Sequence, residues 1–164
     1  MRHLLAILGI LCVSAGLAQA QEFKRYANAR FGFAVDYPAD LVAPLPGPAN
    51  DDGRIFRSKD GRIEMTASGI LNINGQDVPH LMKDAEALHA DVKWSKRDRT
   101  DSSFTMVGEG RQGVVYRHTI LYLSDGQEVI GSLLVTYPKG AEDAMGGIIE
   151  RARDSFAASV RRRR

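Results

Sequence analysis

The chain has 164 residues, of which 44% are hydrophobic, a net charge of +2 and one cysteine. This length predicts a single domain, and a charge so near balance argues against the broad basic face of a nucleic-acid-binding protein. The cysteine, Cys12, lies in an apolar leading stretch that we expect to be removed. The remaining chain then has no residue for a disulfide, a thiolate nucleophile or a cysteine-bound metal.

Residues 1–20 have the pattern of a cleavable signal peptide. A short basic start is followed by an almost wholly apolar run, Leu4–Ala18, and by a small-x-small pattern that ends at Ala20. We predict cleavage between Ala20 and Gln21, and therefore a periplasmic or secreted protein. An uncleaved membrane anchor is the alternative, but a run of about 15 residues is shorter than the roughly 20 that a spanning helix needs.

The first half of the remaining chain alternates between strand and turn patterns. We predict strands at 23–28, 33–37, 54–58 and 62–70. Phe33, Val35 and Tyr37 share one face of the second strand, as alternation requires. Asp60-Gly61 predicts a hairpin between the third and fourth strands. The segment 39–52, rich in proline, glycine, asparagine and aspartate, predicts a loop.

The second half predicts two amphipathic helices around four more strands. Pro79 suits a first helical turn, so we expect a helix at 79–90, with an apolar side made of Leu81, Met82, Ala85 and Leu88. The second helix is expected at 142–158, where Gly146-Gly147 weakens it by about 1 kcal/mol per glycine. Strands are expected at 92–98, 103–111, 114–124 and 128–137, the last two joined by an Asp125-Gly126 turn.

This order of elements predicts an α+β domain. Strands joined by tight turns make an antiparallel sheet, here of about six to eight strands, and two amphipathic helices can cover its faces. We expect this single domain to span residues 21–160. A basic tail of four arginines, Arg161, Arg162, Arg163 and Arg164, follows it.

Several short motifs together resemble one family. They are Phe31-Gly32-Phe33, Tyr37-Pro38, the strand Asp52–Ser58 with its Asp60-Gly61 hairpin, Val115-Tyr116-Arg117 and Tyr137-Pro138. The pattern is similar to PsbP-like and DcrB-like exported domains, in the superfamily of the photosystem II extrinsic subunit PsbP. The chain departs from it at 105–110, where relatives often have an aromatic residue and Ser-Gly.

The resemblance implies an α/β/α sandwich built on one antiparallel sheet. It also implies a mostly non-enzymatic family, whose members are accessory subunits, bind partner proteins or are uncharacterised exported proteins. It supplies no catalytic residue to carry over.

No metal, cofactor or catalytic motif is evident in the sequence. His80 and His89 lie on opposite sides of the first predicted helix, and His80 with Asp84 is at most half a metal site. We expect His118 to be a hydrogen-bonded strand residue. Ser132 lies mid-strand, without a Gly-x-Ser-x-Gly elbow. We therefore predict no enzyme and no cofactor.

The pair Asp51-Asp52 is explained by a turn, and weak cation binding remains an alternative. The sequence favours an interaction module that binds another envelope protein, as a monomer or small oligomer. The alternatives are a carrier of a small apolar ligand, lined by Trp94, Tyr116, Tyr122 and Tyr137, and an unrecognised hydrolase. The four tail arginines predict at most a weak contact with an anionic membrane or an acidic partner.

Overall fold

The computed structural model describes residues 21–122 and 128–161. Its elements, in chain order, are β1 (Phe23–Asn28), β2 (Phe33–Pro38), β3 (Ala43–Pro44), β4 (Gly53–Arg57), β5 (Glu64–Leu71), α1 (Val78–Leu88), β6 (Lys93–Arg99), β7 (Ser103–Glu109), β8 (Val114–Tyr122), β9 (Val129–Pro138) and α2 (Glu142–Arg161). The predicted signal peptide, the Asp125-Gly126 turn and Arg162 to Arg164 lie outside the described residues. Within the described ranges, no helix is long and apolar enough to cross a membrane.

The main sheet has seven strands in the order β3-β4-β5-β9-β8-β7-β6, and the residue pairing between its neighbours is antiparallel throughout. This confirms the predicted α+β class and antiparallel sheet. The Asp60-Gly61 turn joins β4 to β5, and Gly61 has the positive φ (72°) that such turns need.

The hairpin β1–β2 forms a sheet of its own rather than joining the main one. The edge of this hairpin that β2 forms is closed by α2, not by another strand. The backbone N–H groups of Ala34 and Asp36 donate to the hydroxyls of Ser159 and Ser155, at 2.8 and 2.9 Å. Because helix side chains satisfy these donors, the hairpin needs no further strand partner.

Each face of the main sheet has its own apolar core, which confirms the sandwich. On one face, α2 and the hairpin cover β4, β5, β8 and β9. The fully buried residues of this core include Val35, Phe56, Met65, Leu133, Val135, Met145 and Phe156. On the other face, α1 packs Val78, Leu81 and Ala85 against Phe104, Met106, Ile120 and Ile130.

The motif Phe31-Gly32-Phe33 anchors the hairpin. Gly32 has a positive φ of 69°, and its N–H donates to the carbonyl of Asn28. Asn28 is buried, accepts from the Phe31 N–H and donates to the Asp51 carbonyl. Phe31 lies so close to Gly69 that a Cβ there would be 2.6 Å from the ring. The motif therefore locks the hairpin onto the loop before β4 and onto β5.

Helix α1 begins at Val78, one residue before the predicted start, and ends at Leu88, before the predicted end at 90. Asp77 is its N-cap, and the carboxylate accepts from the His80 N–H. The prediction that Leu88 joins the apolar side is wrong, since that residue is 77% exposed. The helix ends at Leu88, and the next residue, His89, packs against the sheet in its place.

Both edges of the main sheet are protected. Part of the predicted loop 39–52 forms the two-residue edge strand β3, which ends at Pro44. The opposite edge, β6, has the highly charged sequence KWSKRDR and a register shift between Trp94 and Lys96. Short strands, proline, charges and bulges are the usual means of preventing edge-to-edge association.

Candidate functional site

The face of the main sheet that carries α1 is only half covered. The helix packs on β7, β8 and β9, and its apolar cluster includes no residue of β4 or β5. The pairing register places Ile55, Thr66 and Leu134 side by side on this same face. Ser68 and Ile70 follow along β5 on that face. We call these five residues the open sheet face.

Apolar exposure concentrates at this surface. Ile55 is 36% exposed and Ile70 is 54% exposed. Just beyond the end of β5, Ile73 is 83% exposed. Clusters of exposed apolar side chains on a folded domain commonly mark an interaction site. In the sequence, the sign of this exposed apolar surface is Ile73, an isoleucine that lies between two asparagines in a polar loop.

A depression of about 320 Å³ lies at one end of the open sheet face. Pro46 and Pro48 line one side of it, and Ile55, Thr66 and Ser68 line the other. Of the four residues that were predicted to line a carrier pocket, Trp94, Tyr116 and Tyr137 do not line this depression, and the side chain of Tyr122 lies outside those that the structure describes. Trp94 and Tyr116 lie on the α1 side of the sheet, whereas Tyr137 is buried in the α2-side core.

His118 lies in a cluster of rings at the C-terminal end of α1. Its ring contacts His89 and Phe104 edge-on, with centroids 5.7 and 5.9 Å away. Its Nε2 is 3.1 Å from the Ser132 hydroxyl, which agrees with the predicted hydrogen-bonded role. Burial, and next the charge of His89, lowers the pKa of His118 to about 4. The ring is therefore neutral at physiological pH.

The pair Ser132–His118 is the contact closest to a hydrolase among the described residues. A catalytic serine needs a histidine base that a third group orients through the other ring nitrogen. Here Nδ1 of His118 is buried and has no hydrogen-bond partner within the described ranges. A histidine with so low a pKa is also a weak base near neutral pH. The geometry is that of a structural hydrogen bond.

The histidine and carboxylate candidates do not converge. His80 Nδ1 lies 2.6 Å from Asp77, not beside Asp84, and the Asp84 carboxylate accepts from Gln76. The backbone N–H of His80, and next its ring, lowers the pKa of Asp77. Among the described residues, no group of three histidines, cysteines or carboxylates is placed to hold a metal ion.

Asp51 and Asp52 lie in an ordered turn before β4. The Asp51 N–H donates to the Pro48 carbonyl, and its φ of 48° is one that aspartate tolerates. The Asp52 carboxylate accepts from the Asn50 side chain at 2.7 Å. These contacts are those of the turn that the sequence predicts. Of the tail, Arg161 is the last residue of α2.

The seven-stranded antiparallel sheet, with a helix on each face and a separate N-terminal hairpin, defines an α+β sandwich fold. The fold is similar to the solution structure of cyanobacterial PsbP (CyanoP) from Synechocystis, with a TM-score of 0.57 and 10% identity. That match covers 87% of this chain and 95% of the other.

A second similar structure is the Ran-binding protein Mog1p of Saccharomyces cerevisiae, with a TM-score of 0.56 and 10% identity. This match covers 85% of this chain and 95% of the Mog1p chain. At 10% identity, the two similarities establish the fold. No protein-family profile matches the sequence, and comparison with curated proteins finds no similar sequence.

Proposed function

We propose that this protein is an exported, non-enzymatic interaction module that binds a partner protein through the open sheet face. The observation that carries the proposal is the uneven cover of the main sheet. Its α2 face is filled by a helix and a hairpin, whereas α1 leaves the β4–β5 half of the other face exposed. Burying Ile55 and Ile70 against a partner removes apolar area from water at about 25 cal/mol per Å².

The comparisons and the sequence support this class of function. One structurally similar protein, Mog1p, is described as Ran-binding, so the same fold binds a protein there. The leading sequence supports export, which makes another envelope protein the expected partner of this chain. The chain without its leader and arginine tail has a charge of about −3. That charge argues against a nucleic-acid partner.

Site-specific photocrosslinking in the cell of origin tests the proposal. A benzophenone amino acid replaces Ile70 in one variant and Leu88 in another. Both positions are apolar and strongly exposed, but Leu88 ends α1 and is not part of the open sheet face. We expect one defined crosslinked product from position 70, reduced by an excess of the unlabelled protein, and none from position 88.

Two crosslinking outcomes contradict the proposal. Equal labelling from both positions shows non-specific contact, and absence of any product from position 70 shows that this face is unoccupied. As a further control, unlabelled protein with Ile55→Asp and Ile70→Asp should fail to compete. If it competes as well as the native chain, the partner binds elsewhere.

A carrier of a small apolar ligand is the second candidate, favoured by the depression beneath Pro46 and Pro48. Native mass spectrometry of the freshly purified protein distinguishes it, because a carrier retains a ligand mass and an unliganded chain does not. A bound mass that Thr66→Trp removes supports the carrier. Clean unliganded masses contradict it.

The arginine tail adds a weaker proposal of contact with an anionic membrane surface. Four arginines contribute at most about 4 kcal/mol near such a surface. Removal of residues 161–164 should leave the thermal unfolding temperature unchanged and reduce sedimentation with anionic vesicles. Equal sedimentation of the shortened and full chains contradicts this contact.

A further inference from the structure

The depression at one end of the open sheet face combines groups of different chemistry. Its walls are mainly apolar and include Pro46, Pro48 and Ile55. Thr66 and Ser68 add two hydroxyl groups. A volume of about 320 Å³ is at the lower end of the range for small-molecule sites. The depression is therefore of a size to hold one large side chain rather than a long segment of chain.

Arg54 brings a positive charge to the same depression. Its guanidinium lies against Gly47, where an added Cβ would be 2.9 Å from Nη1. Nη1 donates to the Leu45 carbonyl at 3.0 Å, and the guanidinium carbon lies 5.4 Å from the ring centroid of Tyr26. Within the described ranges, the side chain of Arg54 has no ion pair and no other hydrogen bond. The guanidinium is therefore held in place without a counter-charge.

Hydrogen-bond acceptors complete the lining of the depression. The hydroxyls of Thr66 and Ser68 form no hydrogen bond with any other residue that the structure describes. Asp52 also lines the depression, and its carboxylate accepts from the Asn50 side chain at 2.7 Å. Apolar walls, a positioned cation and unpaired hydroxyl oxygens thus meet around one space.

Two simpler occupants fit this lining poorly. A carboxylate or phosphate group would meet the negative charge of Asp52 as well as the positive charge of Arg54. An aliphatic side chain would cover the hydroxyls of Thr66 and Ser68 and leave them without hydrogen bonds, which costs free energy. An indole suits each group, because it has an apolar body, a ring face that attracts a guanidinium, and one N–H donor without an acceptor.

We propose that the depression receives a tryptophan side chain of the partner protein. Pro46, Pro48 and Ile55 contact its ring, Arg54 interacts with the ring face, and the Thr66 or Ser68 hydroxyl accepts from the indole N–H. The inference rests on the proposed protein-binding function and names the anchor that the partner supplies. Tryptophan seated in a pocket is among the side chains that most often dominate the binding energy of an interface.

Solution NMR of the purified protein tests the site with amino-acid amides as probes. N-acetyltryptophanamide should shift the backbone amide signals of Gly47, Gly53 and Ile55 with one saturating midpoint. It should bind about 3–10-fold more tightly than N-acetylphenylalaninamide, because one additional hydrogen bond contributes about that factor. N-acetylleucinamide should bind more weakly than either. Equal binding of the three amides, or tighter binding of acetate at matched ionic strength, overturns the proposal.

Variants of the hydroxyl groups test the hydrogen bond. Thr66→Val combined with Ser68→Ala should remove the preference for the tryptophan probe over the phenylalanine probe. Thr136→Val is the matched control, since it removes a half-buried threonine hydroxyl from the neighbouring part of the sheet but outside the depression. It should leave the preference unchanged. A preference that survives in the double variant overturns the proposal.

Variants of the arginine test the contact with the ring face. Arg54→Met should weaken binding of both aromatic probes by about 2–5-fold, because the cation–π attraction is lost. Arg57→Met removes an arginine of the same strand outside the depression and should leave binding unchanged. If Arg54→Met does not fold, Arg54→Lys replaces it, because lysine keeps the charge and loses the planar face. Native affinity in the folded Arg54 variant overturns the proposal.

Crosslinking in the cell of origin then separates this inference from the proposed function. A benzophenone amino acid replaces Pro48 at the rim of the depression, and tandem mass spectrometry locates its attachment on the partner. We expect attachment next to a tryptophan. Attachment to a segment without tryptophan, together with a defined product from position 70, overturns the tryptophan anchor and leaves the protein-binding function standing. Absence of a product from both positions overturns both, even if the tryptophan probe binds.

Discussion

At the scale of single residues, His118 makes stability depend on pH. Its pKa is about 4 in the folded protein and 6.5 ordinarily, so between these values the unfolded chain binds more protons. The stabilisation by neutral His118 is therefore complete above pH 6.5 and lost as the pH falls towards 4. The full loss is about 3 kcal/mol.

Urea unfolding of the native chain and of His118→Gln across pH 4–8 measures this effect. Glutamine can keep the hydrogen bond to Ser132 but does not titrate. The unfolding free energy of the native chain should therefore fall relative to that of His118→Gln as the pH decreases below 6.5. A difference that stays constant across the range, or an NMR ring signal of His118 that titrates near 6.5, contradicts this account.

Local structure at the scale of single residues was also the easiest to predict from the sequence. Asp60-Gly61 predicts a turn because the backbone conformation there depends on glycine itself, and Gly61 has a positive φ. His118 and Ser132 were each predicted as structural strand residues. Their contact could not be predicted, since it depends on the register between β8 and β9, which pairs His118 with Leu134 and so places Ser132 diagonally beside it on the same face.

At the scale of elements, two glycines inside α2 lower its stability and can be replaced. Gly146 and Gly147 lie inside the helix, and a Cβ at either position meets no atom within 4 Å. Gly147→Ala should therefore stabilise the protein by about 1 kcal/mol, because alanine lowers the entropy of the unfolded chain and favours the helix. Chemical unfolding of the purified variant measures the gain.

The matched control is Gly61→Ala, at a position with equally open surroundings but a φ of +72°. There alanine should destabilise, because the left-handed backbone is strained for any residue with a Cβ. If both substitutions shift stability in the same direction, backbone conformation does not explain the difference between these glycines.

The positions of elements followed from periodicity and turn chemistry, whereas their partners did not. Strand β1 was predicted with its observed bounds, and α2 with its observed start. The separation of the hairpin into its own sheet depends on Ser155 and Ser159, more than a hundred residues away. Local patterns contain no information about such a contact.

At the scale of the whole molecule, the exposed isoleucines should be dispensable for folding. Ile70 and Ile73 are 54% and 83% exposed, so Ile70→Asp with Ile73→Asp should leave the unfolding free energy within about 0.5 kcal/mol of native. Ile120→Asp, in the α1-side core, should prevent folding. Circular dichroism and urea unfolding measure both.

A large loss of stability in the double variant contradicts the view of this surface as a binding face, because it assigns these side chains to the core.

The α+β class of the molecule was predictable from the sequence, since hairpins and amphipathic helices permit few arrangements. The uneven cover of the sheet was not predictable, because it depends on where α1 crosses the strands.

The protected sheet edges restrict how any partner can be recognised. With β3 only two residues long and β6 charged and irregular, neither outer strand offers a regular row of backbone groups to an incoming peptide. Strand addition, in which main-chain hydrogen bonds supply the affinity, is therefore disfavoured at both edges of the main sheet. Recognition at the main sheet therefore has to use side chains on a preformed surface.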